Sequence, residues 1–384
     1  MSEVSNIPQL RFPEFSGEWE DGKLGNYGNL INGLTYSPDN IVDDGLLVLR
    51  SSNVQNGQIY LNDNVYVNLD VDDAALTKED DILICVRNGS KRLIGKSTII
   101  NKNLPKSTHG AFMTVFRGES NKFISHWFHS SIYYKEVHKN LGATINSING
   151  SNLKKFKTIF PLKPEQQKIA AFLTAVDTKI EQLSKKQELL GEYKKGLMQQ
   201  IFSQAIRFKA DDGSDFPDWI EKKLGDVSIR GASNISANQL EDNNGGYKIY
   251  GAAGHLKNID FYTEEDCYVA IVKDGAGAGR IMLLEAKTSV LGTLAIIKAK
   301  QGNDINFLYW LIQTINFRKY VVGSTIPHIY YRDYQAENLR IPSLSEQTKI
   351  ANFLSSIDTK IKQVGKQLNE SKQFKKALLQ QMFV

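Results

Sequence analysis

Residues 89–97, Gly-Ser-Lys-Arg-Leu-Ile-Gly-Lys-Ser, are the stretch of this chain whose spacing comes nearest to a catalytic motif. A phosphate-binding loop places four residues between its first glycine and the Gly-Lys-Ser triplet, and it opens a helix whose N-terminus holds the phosphate. Here five residues intervene, and residues 98–100, Thr-Ile-Ile, are typical of a strand. The corresponding run of the second half, residues 273–280, lacks the Lys-Ser pair. Both runs are therefore predicted to be glycine-rich turns between strands.

Acidic residues offer a second possibility, a metal-dependent nuclease site. Asp274 with Glu285 and Lys287 imitates the acid and Glu-x-Lys arrangement in which carboxylates hold magnesium beside a scissile phosphate. The first half of the chain has no equivalent, and isolated Glu-x-Lys triplets are common in a chain with 42 acidic and 47 basic residues. We therefore predict no catalytic acid cluster at these positions.

Histidines and cysteines are too scattered to predict a metal site. His126 and His129 stand three apart with His138 further on, but no acid or cysteine lies at ligand spacing, so partly exposed helix histidines are predicted. Cys85 and Cys267 form no CxxC pair and are expected to be core thiols. No two prolines are adjacent, which excludes the Asn/Asp-Pro-Pro-Tyr motif of amino-methyltransferases. The chain is thus predicted to have no catalytic residue, no metal and no cofactor of its own.

With catalysis not predicted, a binding function remains, and the glycine-rich turns carry side chains that suit contacts with DNA. Arginine and lysine can donate twice to guanine, asparagine can pair with adenine, and glycine lets the backbone approach phosphates. Solvated loop charge explains the same residues about equally well. The candidates around the turns are Arg87, Asn88, Lys91, Arg92 and Lys96 in the first half and Lys273, Asp274 and Arg280 in the second.

Composition places these turns in an ordinary globular protein. Of the 384 residues, 41% are hydrophobic, which is enough for more than one core, and no stretch approaches the ~20 apolar residues of a membrane span. We therefore expect a cytoplasmic protein without a membrane segment. The formal net charge of +5 permits an anionic partner such as nucleic acid without requiring one.

An internal repeat organises the elements that must position the turns. Residues 161–202 recur at residues 342–383, shifted by 181 without a gap, and 20 of the 42 aligned positions are identical. Other landmarks recur ahead of each copy, in the pairs Arg11 and Arg207, Trp19 and Trp219, and 142–145 and 323–326. We therefore predict a duplicated unit in which a globular segment is followed by a long helix.

Each globular segment has the pattern of an α+β domain. Short apolar runs bounded by turn residues predict strands at 46–49, 58–61, 81–87, 97–100 and 111–116 in the first half and at 268–273, 280–285 and 294–298 in the second. Apolar residues at helical spacing predict one helical piece in each half, at 122–141 and at 305–321.

Both copies of the repeat carry a seven-residue pattern that predicts a coiled-coil seam. The first helix is predicted at residues 165–202, which is roughly 57 Å at 1.5 Å per residue. The simplest partner of each helix is the other one; alternatively, each stripe packs onto its own domain. Gln187 and Ser371 are polar where the other copy has leucine, and they are expected to fix the register. The seam positions are Leu173, Val176, Ile180, Leu183, Gln187, Leu190, Lys194, Leu197 and Ile201 in one copy and Leu354, Ile357, Ile361, Val364, Leu368, Ser371, Lys375, Leu378 and Met382 in the other.

With this architecture, the chain resembles a known family, the specificity (S) subunits of type I restriction-modification systems. The resemblance rests on two copies of Pro-x-x-x-Glu-Gln-x-Lys-Ile-Ala-x-Phe-Leu, at 161–173 and 342–354, each followed by Asp-Thr-Lys-Ile and ending in Lys-Lys-x-Leu-x-Gln-Gln-x-Phe. It covers nearly the whole chain. It implies an α+β fold of two α/β target recognition domains, separated by two long antiparallel helices that form a coiled coil, with a pseudo-two-fold internal repeat.

The resemblance also implies domain boundaries. They are residues 1–160 for the first target recognition domain, 161–205 for the first conserved helical spacer, 206–341 for the second recognition domain and 342–384 for the second spacer.

The implied function is DNA sequence specificity without catalysis. Each domain would read one half of a bipartite site in double-stranded DNA, with the helices as a ruler, and partner subunits would methylate adenine or restrict the DNA in host defence. Two methyltransferase (M) subunits would bring S-adenosylmethionine, and restriction (R) subunits would bring ATP and magnesium. The alternative is a coiled-coil scaffold that joins two protein-binding domains without DNA readout.

Recognition domains vary most within this family, so contact residues are inferred one at a time. Each could equally be ordinary polar surface. Asn146-Ser147 stands where the second copy has Pro327-His328, so equivalent contacts at both places are not expected. To the turn residues we add Arg50, Ser51 and Asn53 in the first domain and Lys248, Tyr250, His255, His328 and Tyr330 in the second.

Overall fold

The computed structural model describes residues 6–101, 103–141, 146–241 and 245–384. The chain divides into two compact units: unit 1 comprises Met1–Ser184 with Lys366–Val384, and unit 2 comprises Lys185–Gly365. Each unit holds one globular domain and parts of both long helices, Lys163–Phe202 and Leu344–Gln381. The repeated segment 142–145 lies outside the described residues. Within the described ranges, no helix is long and apolar enough to cross a membrane.

Unit 1 is built on an antiparallel four-stranded sheet with the strand order Gly28–Asn32, Met113–Gly118, Ile82–Cys85, Ser97–Ile99. A second sheet has the order Ser107–His109, Leu46–Leu49, Tyr66–Val67, Ile41–Val42, and its first two strands are parallel. The smaller pairs are Glu20–Lys23 with Lys157–Phe160 and Val54–Gln55 with Gln58–Ile59. All five predicted strands are present, and their ends differ by at most two residues. The short helices are Asn121–Trp127, Ser131–Asn140 and Gly150–Lys154.

Unit 2 repeats the first of these sheets, in the order Ser228–Ala232, Leu294–Ala299, Tyr268–Val272, Ile281–Leu284. Its other sheet has the order Gly254–Ile259, Tyr247–Gly251, Ser289–Val290, with the last pair parallel, and Ile220–Lys223 pairs with Asn338–Ile341. The three predicted strands are confirmed to within one residue. The short helices are Leu224–Val227, Ile305–Ile312 and Tyr331–Tyr334.

Side-chain caps explain where the predicted helical pieces were wrong. The piece at 122–141 is two helices, Asn121–Trp127 and Ser131–Asn140, because Ser130 Oγ accepts a hydrogen bond from the Tyr133 backbone N–H at 3.2 Å and starts a new helix. The piece at 305–321 ends at Ile312 and is followed by the 3-10 turn Phe317–Tyr320, which Asn316 caps.

Buried aromatic residues form the main core of unit 1. The ring of Phe160 contacts those of Phe123 and Trp127 edge-on, with centroids 5.0 and 5.4 Å apart. Leu173 and Leu378 from the long helices belong to the same cluster. In unit 2 the corresponding cluster combines Trp310, Phe307 and Tyr334 with Ile201 and Leu354 of the long helices. The core of each unit therefore includes the beginning of one long helix and the end of the other.

Cysteine burial differs from the sequence-based prediction in one case. Cys85 is buried in the core between strands, whereas Cys267 is exposed. Cys267 directly precedes the strand Tyr268–Val272, so its thiol lies outside the apolar core that begins with that strand.

The repeated Glu-Gln pair anchors each long helix to its domain. Glu165, almost fully buried, accepts from Arg11 Nη2 at 2.7 Å and from Trp19 Nε1 at 3.3 Å. Gln166 donates to the backbone carbonyl of Pro161 at 2.8 Å. Unit 2 repeats every one of these contacts, with Glu346, Arg207, Trp219, Gln347 and Pro342 in the equivalent roles. The motif therefore attaches the N-terminus of each long helix to the segment that begins its domain. We call this segment, residues 11–19 in unit 1 and 207–219 in unit 2, the arm.

Ion pairs join the two long helices inside each unit. In unit 1, Lys375 Nζ lies 2.5 Å from Asp177, and in unit 2, Lys194 Nζ lies 2.7 Å from Asp358. Each copy of the repeat contributes the lysine to one pair and the carboxylate to the other. This reciprocity shows antiparallel packing, because the beginning of each helix meets the end of the other.

The predicted seam positions all lie in the described ranges, and every one of them is buried or half-buried.

The polar seam positions have distinct surroundings. In unit 2, Gln187 packs against Gly365, where an added Cβ would lie 2.7 Å from Gln187 Nε2. The glycine therefore makes the space that the amide occupies. In unit 1, Ser371 is half-buried and donates to the carbonyl of Gln367 at 2.8 Å. Their role in fixing the register remains a prediction.

Candidate nucleic-acid interface

The glycine turns of both units are held by the same backbone frame. In unit 1, Arg87 forms an isolated antiparallel bridge with Ser147, flanked by hydrogen bonds from Ile148 N to Val86 O (2.9 Å) and from Asn88 N to Asn146 O (3.3 Å). In unit 2, the bridge is between Asp274 and His328, flanked by Ile329 N to Lys273 O and Gly275 N to Pro327 O, both at 2.9 Å. We call each of these bridged pairs the loop bridge. It presents two side chains beside a turn that follows a central strand of the sheet.

A glycine closes each turn. The Gly95 N–H donates to the Cys85 carbonyl and the Gly279 N–H to the Val272 carbonyl, both at 2.8 Å. Both glycines have positive φ, +83° and +89°, a conformation that other residues adopt only at a cost. Nine residues separate the bonded pair in unit 1 and six in unit 2. The frame is therefore shared, whereas the length of the turn differs.

Gly279→Ala is expected to lower the stability of unit 2 by about 1–3 kcal/mol, because alanine is strained at this φ and its Cβ would lie 2.8 Å from Phe317 Cβ. Gly196→Ala, in the same unit but inside the first long helix with no atom near the new Cβ, is the control and should stabilise by about 0.5–1 kcal/mol. Urea unfolding measures both. Shifts of the same sign would contradict the role given to Gly279.

The unit 1 loop bridge gathers three of the predicted contact residues. Arg87 is exposed, and its guanidinium lies 5.6 Å from the ring centroid of Phe112, which is itself 56% exposed. Asn88 Nδ2 donates to Ser51 Oγ at 3.0 Å, and Asn146 Nδ2 donates to the carbonyl of Gly89 at 2.9 Å. Sequence reasoning missed Phe112, since nothing in an Ala-Phe-Met run marks which apolar residue faces solvent.

The other predicted residues of unit 1 lie in varied settings. Lys91 and Arg92 are exposed on the 3-10 turn Lys91–Leu93, and Lys96 is half-buried. Arg50 forms an ion pair with Asp63 at 2.8 Å. Asn53 requires a correction: it is fully buried, and its amide binds the backbone of Arg50, Tyr60 and Asp63. Its hydrogen bonds shape the loop, so the side chain is not available to a ligand.

In unit 2 the loop bridge continues into a row of side chains. His328 Nδ1 lies 2.8 Å from Asp274 Oδ1. The rings of His328 and Tyr330 are nearly parallel, at 15°, with centroids 6.4 Å apart. The Arg332 guanidinium lies 4.9 Å from the centroid of Tyr330. Sequence reasoning missed Arg332, which the stacking on Tyr330 brings into this row; Lys273, also predicted, is half-buried in the frame.

The remaining candidates of unit 2 lie on and around the hairpin Tyr247–Gly251 and Gly254–Ile259. Lys248 pairs with Glu285 at 3.2 Å, and the rings of Tyr250 and His255 are 5.8 Å apart. Arg280 Nη1 donates to the carbonyl of Ala252 at 2.9 Å. Arg280 thus connects the glycine turn to the hairpin.

The structure does not support a phosphate-binding loop at residues 89–97 or a nuclease-like acid cluster at Asp274 and Glu285. After the Lys91–Leu93 turn the chain enters the strand Ser97–Ile99, not the helix that a phosphate loop requires. Asp274 and Glu285 have separate partners, His328 and Lys248. Among the described residues, no group of three His, Cys, Asp or Glu side chains could hold a metal.

His126 is buried, which corrects the prediction of a partly exposed histidine. Its Nδ1 lies 3.7 Å from Asp177 Oδ2, an acid that folding supplies and sequence spacing did not reveal. Burial, with the nearby Lys375 and His129, lowers the pKa of His126 to about 3. The ring is therefore neutral at physiological pH.

Comparison with known proteins agrees with this architecture. A family model described as the type I restriction modification DNA specificity domain matches residues 16–190 and 217–372. The MjaX specificity subunit of Methanocaldococcus jannaschii is 26% identical over 406 residues, which cover 97% of this chain and 95% of that protein. The StySPI specificity subunit of Salmonella potsdam is 26% identical over 236 residues, but the chain spans only 50% of its length.

A solved structure shows the same fold over the full length. The S subunit of a type I restriction-modification system from M. genitalium aligns with 98% of this chain and 99% of its own, with a TM-score of 0.67 and 17% identity. Matched by the family model in both halves, the chain belongs to the family of type I restriction-modification specificity subunits.

Proposed function

We propose that this chain is the non-catalytic DNA-reading subunit of a type I restriction-modification complex, and that each unit reads one half of a bipartite site. The loop bridge carries the proposal. Its backbone hydrogen bonds are the same in both units, whereas its side chains, Arg87 and Ser147 in one and Asp274 and His328 in the other, are different. Two readers that share a scaffold and differ in their exposed groups suit two different half-sites.

The partners belong to the same proposal. Two methyltransferase subunits would dock on this chain and transfer a methyl group from S-adenosylmethionine to adenine, and restriction subunits would supply ATP-dependent cleavage with magnesium. The internal repeat supports two copies of one partner, because repeat-equivalent surfaces offer equivalent contacts.

Exchange of one domain tests whether each unit reads one half-site. Replacing residues 26–160 with those of a relative, in the chain with its methyltransferase partner, is expected to change one half-site and leave the other unchanged. Sequencing of methylated DNA from cells carrying each version measures both halves. A change in both halves, or in neither, would contradict the assignment of one half-site to each unit.

Salt dependence separates DNA reading from the scaffold alternative. If Arg87, Lys91 and Arg92 contribute contacts to phosphates or bases, affinity for a duplex should fall linearly with salt on a log–log plot. The matched comparison is a duplex lacking the site, which should bind more weakly at every salt concentration. Absence of salt-dependent binding would favour the scaffold.

A further inference from the structure

The backbone of His328 is fixed from two sides. Val322 N donates to His328 O at 2.9 Å and His328 N donates to Val322 O at 2.7 Å, which closes a small loop. Gly323, with φ +87°, begins that loop, and the loop bridge to Asp274 lies on the other side. The imidazole therefore projects from a rigid support, as a specific contact requires.

The contact with Asp274 determines which ring nitrogen carries the proton. An ionised carboxylate can only accept, so His328 Nδ1 must donate the hydrogen bond of 2.8 Å. In the neutral ring, Nε2 is then a hydrogen-bond acceptor. No hydrogen bond to Nε2 is found among the described residues, and the side chain is 35% exposed.

The neighbouring side chains extend the surface in a way that suits a duplex. Tyr330, 44% exposed, lies nearly parallel to the imidazole. Beyond it, Arg332 packs on the Tyr330 ring and is 77% exposed along its side chain. A fixed acceptor flanked by an aromatic ring and an exposed cation combines one possible base contact with one possible phosphate contact.

We infer that His328 is a specificity-determining residue of unit 2, whose Nε2 accepts a hydrogen bond from the exocyclic amino group of adenine or cytosine in the major groove. Asp274 is its positioning residue, and Arg332 contacts the adjacent phosphate. The inference rests on the proposed function and adds to it the chemical class of the group that is read. Only the amino groups of adenine N6 and cytosine N4 are donors in that groove.

Unit 1 provides a contrast within the same frame. Arg87 stands where unit 2 has Asp274, and Ser147 stands where it has His328. The exposed groups of Arg87 are donors only, so this bridge suits the acceptors of guanine. One backbone frame can therefore present an acceptor in one unit and a donor in the other.

Selection of bound duplexes from a randomised library, with the full chain and its methyltransferase partner, tests the inference. His328→Ala is expected to remove the preference at one base pair of the second half-site and to weaken binding to the original site about 10- to 100-fold. All other positions should be selected as before. Equal loss of preference at every position, or no loss at any, would overturn the inference.

An analogue base identifies the group that is read. At the base pair defined by His328→Ala, an analogue that pairs normally but lacks the major-groove amino group should weaken the unaltered chain about as much as His328→Ala does. The two changes should not add, because both remove the same contact. If the analogue weakens both proteins equally, His328 does not contact that amino group.

Conservative variants separate positioning from folding. Asp274→Asn keeps an oxygen that accepts from Nδ1 and should retain the preference at that base pair, whereas Asp274→Ala should lose it. Gln301→Ala, which removes an exposed polar side chain of unit 2 outside the candidate contacts, should leave it intact. If His328→Ala does not fold, His328→Gln identifies the base pair instead, and the preference at one base pair of the second half-site should change; an unchanged preference at every position would contradict the inference. Failure of the unaltered chain to select any bipartite sequence would instead refute the proposed function.

Discussion

Replacing Arg11 with alanine is expected to lower the stability of unit 1 by about 3–5 kcal/mol, because it leaves a buried carboxylate without its cation. Glu165 is 3% exposed along its side chain, and Arg11 donates to it through Nε at 2.8 Å and Nη2 at 2.7 Å. Among the described residues, the Trp19 indole N–H, at 3.3 Å, is the remaining side-chain donor to Glu165. One neutral donor cannot replace a two-point guanidinium contact.

Hydrogen exchange of the full chain, resolved by region, measures this loss without requiring the two units to unfold together. Protection should fall in unit 1 and be retained in the globular part of unit 2. Lys168→Ala is the matched control, since it removes an ion pair with Glu14 in which both side chains are about half exposed. Such pairs contribute about 0–1 kcal/mol. If the two variants lose the same protection, the buried pair does not anchor the helix.

Replacing both partners separates the charge from the packing. Arg11→Met combined with Glu165→Leu should recover much of the loss, because no unpaired charge remains buried. Recovery will be incomplete, since Trp19 then loses its acceptor. A double variant as unstable as Arg11→Ala would show that the lost packing, and not the stranded carboxylate, is what matters.

The long helices could be predicted because a local signal repeats. Glu165 and Glu346 stand at equivalent positions in two segments that share 20 of 42 residues, and the helices begin within two residues of them. The two arms could also be recognised in the sequence, since Arg11 and Trp19 of the first recur as Arg207 and Trp219 of the second. Sequence could not show that the glutamates bind these arms, because the contacts span 154 and 139 residues and depend on burial.

The loop bridge could not be predicted from the sequence, because it too joins residues that are far apart along the chain. Arg87 and Asp274 are offset by 187, whereas Ser147 and His328 are offset by 181, and the difference in turn length, nine residues against six, accounts for half of this change. A fixed shift therefore aligns only one side of each bridge. Which polar residue points outward is likewise decided in three dimensions: Asn53 and Ser51 are two residues apart, yet Asn53 is fully buried.

Lengthening both helices by one heptad is expected to abolish tight binding at the original spacing and to lengthen the unread gap by about 3 base pairs. Seven residues add about 10.5 Å, and a base pair adds about 3.4 Å. Duplicating residues 178–184 and 359–365 keeps the seam in phase, because seven residues return each stripe to the same face. Three base pairs also rotate one half-site by roughly 100° about the duplex, so the new site should bind more weakly than the original.

The insertion must be made in both helices because of the reciprocal ion pairs. Asp177 with Lys375 and Lys194 with Asp358 lie on opposite sides of the insertion points, so a heptad in only one helix would shift one pair out of register and should disrupt the folded chain. Selection from duplexes that carry both half-sites at every gap from short to long measures the outcome. A rigid ruler predicts one displaced optimum, a flexible tether predicts a broad preference, and an unchanged optimum would show that the helices do not set the gap at all.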